Sequence, residues 1–207
     1  MLRIFLFFLL SGTAGTAYAT ANILVFGDSI SAGYGLARDQ GWVDLLRARL
    51  ARERFDYKVI NASVSGETTT GGKARLSAAL SQFQPHIVII ELGGNDGLRG
   101  GRLDTMRDNL SAMIADCRRH NSRILLVGMQ VPPNYGNDYR EKFRLVYDTL
   151  AKTQRVPQVS FLFEGFGDDR SLFQPDGIHP TAAAQGKLLD NVWPQLRPLL
   201  ASRPAKH

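Results

Sequence analysis

The chain has 207 residues, 44% of them hydrophobic and 21% charged, with a formal net charge of +6. These proportions fit one globular domain with a sizeable core, and the chain reads without an internal repeat or a low-complexity tract. The positive excess is scattered along helical patterns such as LLRARLARERF and DCRRHNSR. Such runs are solvated faces and not the footprint of a nucleic-acid binder.

At the start, Met1-Leu2-Arg3 sets one positive charge ahead of IFLFFLL, and SGTAGTAYA then relaxes into small residues ending Ala17-Tyr18-Ala19. This is the layout of a secretory signal peptide over residues 1–19, cleaved after Ala19. Its apolar run is far shorter than the ~20 residues of a membrane span. A buried N-terminal helix is the competing reading, but so many Phe in so short a run would need core on every side. Residues 20–207 are then expected to form a single exported domain, periplasmic or secreted, without a stable membrane anchor and acting as a monomer.

The first strand pattern is NILVF at 22–26, which breaks off at Gly27-Asp28-Ser29. A helical stripe follows in WVDLLRARLARE, and YKVIN at 57–61 reads as the next strand, ending in Asn61-Ala62-Ser63-Val64-Ser65-Gly66. GETTTGGKA at 66–74 looks like a phosphate loop, but its glycine register fails and Ala74 stands where a magnesium-binding hydroxyl is needed. TTTGGKARLSAALSQF is helical, and HIVIIEL at 86–92 is a strand that runs into Gly93-Gly94-Asn95-Asp96. The helix LDTMRDNLSAMIADCRRH carries the single cysteine, Cys117. A lone Cys cannot form a disulfide within the chain, and a structural zinc site needs several Cys and His, so a buried thiol is expected.

RILLVGM at 123–129 is the fourth strand, followed by VPPNYG and the helix DYREKFRLVYDTLAKT. QVSFL at 158–162 is the fifth, and a long loop from 163 to 180 contains QPDGIHP. TAAAQGKLLDNVWPQLRPLL closes the chain as a helix that Pro194 and Pro198 are expected to kink or end. Strand and helix thus alternate five times, which calls for an α/β fold with a parallel sheet and helices on both faces. Ligands in such folds sit beyond the carboxyl ends of the strands, where the polar, glycine-rich segments fall.

A serine nucleophile needs a base, and histidine is the usual one. Of four histidines, His86 opens a strand, His120 closes a helix and His207 is the terminus. His179 lies in the last loop with Asp176 three residues before it. A tight Asp-x-x-His turn brings the carboxylate to one ring nitrogen and leaves the other facing outward. The same residues also read as a plain turn at Asp176-Gly177 and a helix-entry His. Donors for a developing oxyanion are available in the Ser29 N–H, the Gly66 N–H and the Asn95 side chain.

The four segments VFGDSISAGYG, NASVSGETT, ELGGNDGLRG and DGIHP together resemble the signature blocks of the SGNH hydrolases, also called GDSL esterases. ELGGNDGLRG and PPNYG, with the exported start, are most similar to the periplasmic acyl-thioesterase, lysophospholipase and arylesterase branch. The resemblance implies a three-layer α/β/α, flavodoxin-like fold with a five-stranded parallel sheet. It also implies Ser29 as nucleophile, His179 as base and then acid, Asp176 as its orienting partner, and Ser29, Gly66 and Asn95 as the oxyanion hole. The substrate is then a small-molecule acyl ester or thioester, with no metal and no cofactor. The alternative is a carbohydrate O-acetylesterase. Leu98, Tyr135 and Tyr139 are candidates to line an acyl groove. Gly97, Gly100 and Gly101 are expected to let the loop beside it move as a gate.

Overall fold

A computed structural model describes residues 20–200. The expected leader at 1–19 and the tail at 201–207 lie outside these residues. Five strands form one parallel sheet in the order β2-β1-β3-β4-β5. They are β1 (Ala21–Gly27), β2 (Tyr57–Asn61), β3 (Ile87–Glu91), β4 (Arg123–Val127) and β5 (Gln158–Val159). All of β3 and the stretch of β1 from Ile23 to Gly27 are buried. Their unbroken apolar runs suit strands covered on both faces.

The helices are α1 (Ser29–Ala32), α2 (Trp42–Arg52), α3 (Thr69–Phe83), α4 (Gly94–Leu98), α5 (Leu103–Arg119), α6 (Asn137–Gln154) and α7 (Gln185–Leu200). Right-handed crossovers put α3, α5 and α6 on one face of the sheet and α2 on the other. The contacts agree, with α3 against α5, α5 against α6, and α2 against α7. This is the expected three-layer α/β/α fold, in the flavodoxin-like strand order. Among the described residues no helix is long and apolar enough to cross a membrane. Cys117 is free and fully buried on α5, where burial pushes its thiol up to about 12.

Two expectations about the C-terminal third are corrected. The fifth strand holds only two residues instead of five. The Gly128 N–H donates to Val159 O, but Gly128 O accepts from the Leu162 N–H at 2.9 Å, where an unbroken parallel ladder would use Phe161. The extra residue bulges the strand and ends the ladder. The terminal helix is not ended by its prolines either, because α7 continues through Pro194 and Pro198 to Leu200. Each interior proline costs ~3 kcal/mol, but Leu196 and Leu200 are both buried. Anchoring each contributes ~1.5–3 kcal/mol, which offsets much of that cost.

Gly128 makes the bulge possible, since a Cβ there would stand 2.4 Å from Ser160 O. Backbone cannot yield as a flexible side chain does. Gly128→Ala is therefore expected to destabilise by about 1–3 kcal/mol, read as a lower thermal unfolding midpoint.

Candidate active site

The strand order places a switch point between β1 and β3, whose outgoing connections diverge. β1 delivers Ser29 there as the first residue of α1, where a backbone N–H has no partner within the helix. Asp28 caps this short helix, its Oδ1 accepting from the Ile30 N–H at 3.0 Å. Gly33, with a φ of 76°, ends it in the left-handed conformation. Ser29 is thus held at a helix start as well as after a strand, with only 9% of its surface exposed.

His179 comes to Ser29 from the far end of the chain. Its Nε2 lies 2.9 Å from Ser29 Oγ, across 150 residues of sequence. Its Nδ1 lies 2.7 Å from Asp176 Oδ2. The carboxylate can only accept, so Nδ1 carries the ring proton and Nε2 accepts from the serine hydroxyl. Asp176 Oδ1 accepts from the backbone N–H groups of Ile178 and His179 at 2.9 and 3.0 Å. Gly177, with a φ of 67°, supplies the tight turn between them. Burial acts to raise the Asp176 pKa, but these N–H donors and the His179 ring outweigh it and hold the carboxyl at about 2. His86 instead faces the Tyr57 hydroxyl, and His120 contacts the Asp116 carbonyl at the end of α5.

Asn95 and Gly66 complete the arrangement. Asn95 lies in α4, directly after β3, and its Nδ2 donates to Asp28 Oδ2 at 3.0 Å. One amide hydrogen is thereby fixed, and the second remains for the cleft that Asn95 lines. The loop after β2 is tied to β1 by the Val64 N–H to Gly27 O and by the Gly27 N–H to Ser63 Oγ. It carries Gly66, with a φ of 78°, to the lining of the same cleft.

A serine hydroxyl, a paired His and Asp, and an amide donor therefore share one opening. The GDSL-like lipase/acylhydrolase family model matches residues 25–187, most of the chain. The chain belongs to this family. It is 51% identical to esterase TesA of Pseudomonas aeruginosa over 182 residues, 88% of this chain and 90% of that protein. It is 40% identical to thioesterase 1/protease 1/lysophospholipase L1 of Escherichia coli (strain K12), over 89% of this chain and 87% of that one. A solved structure of TesA superposes with a TM-score of 0.84, covering 86% of this chain and 99% of the other.

The family's GDS turn rests here on two buried carboxyls. Burial raises the Asp28 pKa to about 6, although the Ile30 N–H, the nearby His179 and the Asn95 amide oppose it. Glu91, at the end of β3, is fully buried. Burial and then the charge of Asp28 push its pKa well above the ordinary range. Glu91 Oε2 accepts from Ser31 Oγ at 2.7 Å and lies 3.4 Å from the Asp28 N–H, so it underpins the turn. Gly27 leaves room for it, since a Cβ there would stand 2.6 Å from the same oxygen.

The cleft has a volume of about 1350 Å³. Leu98 lines it, but Tyr135 and Tyr139 do not. Their hydroxyls donate to Leu98 O and Gly101 O, so they brace the neighbouring loop. The gate expectation changes accordingly. Gly97 is inside α4 and is needed for packing, since a Cβ would stand 2.5 Å from both Phe143 and Val131. The Gly100 and Gly101 N–H groups donate to Gly97 O and Asp96 O, which fastens the loop. Asp96 also accepts from the Thr69 N–H and hydroxyl, joining α4 to α3. Glu91 and Asp96 both stand inside the ELGGND block, yet their roles lie in contacts far along the chain. Among the described residues no cluster of three or more His, Cys, Asp or Glu side chains is disposed to hold a metal ion.

The raised pKa of Asp28 means that the folded protein binds its proton at a higher pH than the unfolded chain does. Its charge therefore costs stability above about pH 6, and this cost fades as pH falls toward the ordinary 3.8. Asp28→Asn removes the charge. The unfolding midpoint of this variant relative to wild type is expected to rise between about pH 4 and pH 7 and then level off, as measured by thermal denaturation at a series of pH values.

Proposed function

We propose that the chain is an esterase that hydrolyses small-molecule acyl esters and thioesters, with Ser29 as nucleophile and His179 as base. The observation that carries this reading is the continuous set of contacts from Asp176 to His179 to Ser29, 2.7 and then 2.9 Å long. Ser29 Oγ attacks the acyl carbon as His179 Nε2 takes its proton, and the carbonyl electron pair moves onto oxygen. The N–H groups of Ser29 and Gly66 and the Asn95 amide receive that oxyanion. Asp176 compensates the imidazolium. As the tetrahedral carbon collapses, the proton passes from Nε2 to the leaving alkoxide or thiolate. Water then gives a proton to Nε2 and attacks the acyl-serine, and as this adduct collapses Nε2 returns the proton to Ser29 Oγ and the carboxylic acid leaves.

The names of the two relatives above, an esterase and a thioesterase/lysophospholipase, support the acyl substrate class. So do Met129, Val131, Phe161 and Phe163 on the cleft wall. The charged, apolar and small-residue order of residues 1–19 supports export to the periplasm. A carbohydrate O-acetylesterase is the second reading, favoured by Glu164, Asp168 and Asp169 beside these aromatic side chains. Comparing O-acetylated oligosaccharides with p-nitrophenyl esters of increasing acyl length separates the two. A rate that depends on acyl length supports the first.

Ser29→Ala is expected to abolish p-nitrophenyl ester turnover and labelling by an alkylphosphonate. Wild-type rates in that variant would overturn the proposal. Asn95→Ala is expected to lower kcat by about 100- to 1000-fold with little change in KM, because its donor acts on a charge that exists only in the transition state.

A further inference from the structure

We propose that Tyr34 and Gln174 form a latch that holds the His179 imidazole in its reactive position against Ser29. This rests on the reading above, in which Ser29 and His179 react together. The two edge contacts of His179, at Nδ1 and Nε2, leave the ring free to tip about the line joining them. A contact on the ring face removes that freedom, and Tyr34 supplies it. The two ring centroids lie 4.4 Å apart, with the planes tilted by 37°. Tyr34 itself is 53% exposed, so the core does not depend on its side chain. When His179 takes the serine proton it becomes a cation, which an aromatic face attracts.

The segment around His179 needs such support. Residues 175–178 are all exposed, so little apolar packing holds the loop in place. Gln174 ties it down by hydrogen bonds instead. Its Nε2 donates to Tyr34 O at 2.8 Å and to Pro180 O at 3.2 Å. Its backbone N–H donates to His179 O at 2.7 Å, and the Tyr34 N–H donates to Ser29 O at 3.1 Å. These bonds close a circuit from Ser29 to Tyr34 to Gln174 to His179, which the 2.9 Å contact of Nε2 with Ser29 Oγ completes. Gly35 makes the approach possible. It has a φ of 73°, and a Cβ there would stand 2.1 Å from Gln174 Oε1. Tyr34 and Gln174 are thus positioning residues that act on the reaction through His179.

The test uses the full chain and its variants Tyr34→Phe, Tyr34→Ala, Gln174→Ala and Gln174→Glu, the Tyr34→Ala/Gln174→Ala double variant, and Ser29→Ala. Readouts are kcat and KM on p-nitrophenyl acetate, the rate of labelling by an alkylphosphonate, and the unfolding midpoint. Tyr34→Phe keeps the ring and is expected to stay within about twofold of wild type. Tyr34→Ala and Gln174→Ala are expected to lose about 10- to 100-fold in kcat, with KM nearly unchanged and labelling slowed in parallel. Gln174→Glu is expected to fall below Gln174→Ala, because a carboxylate would face two carbonyl oxygens. The double variant is expected to lose little more than the worse single one, since both act on one ring. If Tyr34→Ala melts early, Tyr34→Leu makes the same test. Single variants that keep wild-type kcat while Ser29→Ala is inert overturn the latch and leave the esterase reading intact. Losses confined to KM also overturn it, in favour of substrate contact. An active Ser29→Ala overturns the underlying reading.

Discussion

All five strands run the same way, so their carboxyl ends lie along one edge of the sheet. Every parallel connection must cross a helical layer before the next strand begins. The turns after the strands are therefore where polar side chains from successive connections can meet around one crevice. β1 and β3 lie side by side, and the segments leaving them supply Ser29 and Asn95 to one crevice. His179 has the longer journey. β5 stands three strand spacings from β1, roughly 14 Å, and the loop after it must bridge that distance. Phe163, Phe166 and Phe173 pack ring against ring within this loop and fasten it to the main core.

The same edge concentrates electrostatic cost. Asp28 and Glu91 are carboxyl groups taken out of water at the Gly27-Asp28-Ser29 turn. Burial disfavours both charges, and the charge of Asp28 further discourages ionisation of Glu91. What the cost secures is geometry. Asp28 holds the start of α1 with one oxygen and the Asn95 amide with the other. Asp176 is arranged in the opposite sense, with N–H donors converging on a charge that stays in place far into acid. The fold thus keeps one carboxylate firmly ionised at the edge of the cleft and two reluctant ones below it.

Much of this architecture is legible in the sequence. NILVF and HIVIIEL read as doubly covered strands because their apolar runs are unbroken. Ser29, Gly66, Asn95 and His179 stand in blocks that fall after successive strand patterns. The failures share one physical cause, which is that local pattern carries no information about distant contacts. β5 is cut short by backbone that meets Gly128, some thirty residues earlier. Pro194 and Pro198 look like helix breakers until the burial of Leu196 and Leu200 is known. Tyr135 and Tyr139 lie near the cleft in sequence, but their hydroxyls turn toward the carbonyls of the preceding loop. Tyr34 and Gln174 stand inside VFGDSISAGYG and QPDGIHP, but nothing local in either segment shows that the two meet.

The contact between Ser29 and His179 joins the two ends of the domain, and this sets an order in time. A ribosome releases the serine early and the histidine late. Until the segment around Asp176 and His179 emerges and folds back across the sheet, Ser29 is an ordinary alcohol. With the roles proposed for Ser29 and His179, the chain is inert throughout its own synthesis, and reactivity comes only with the finished fold.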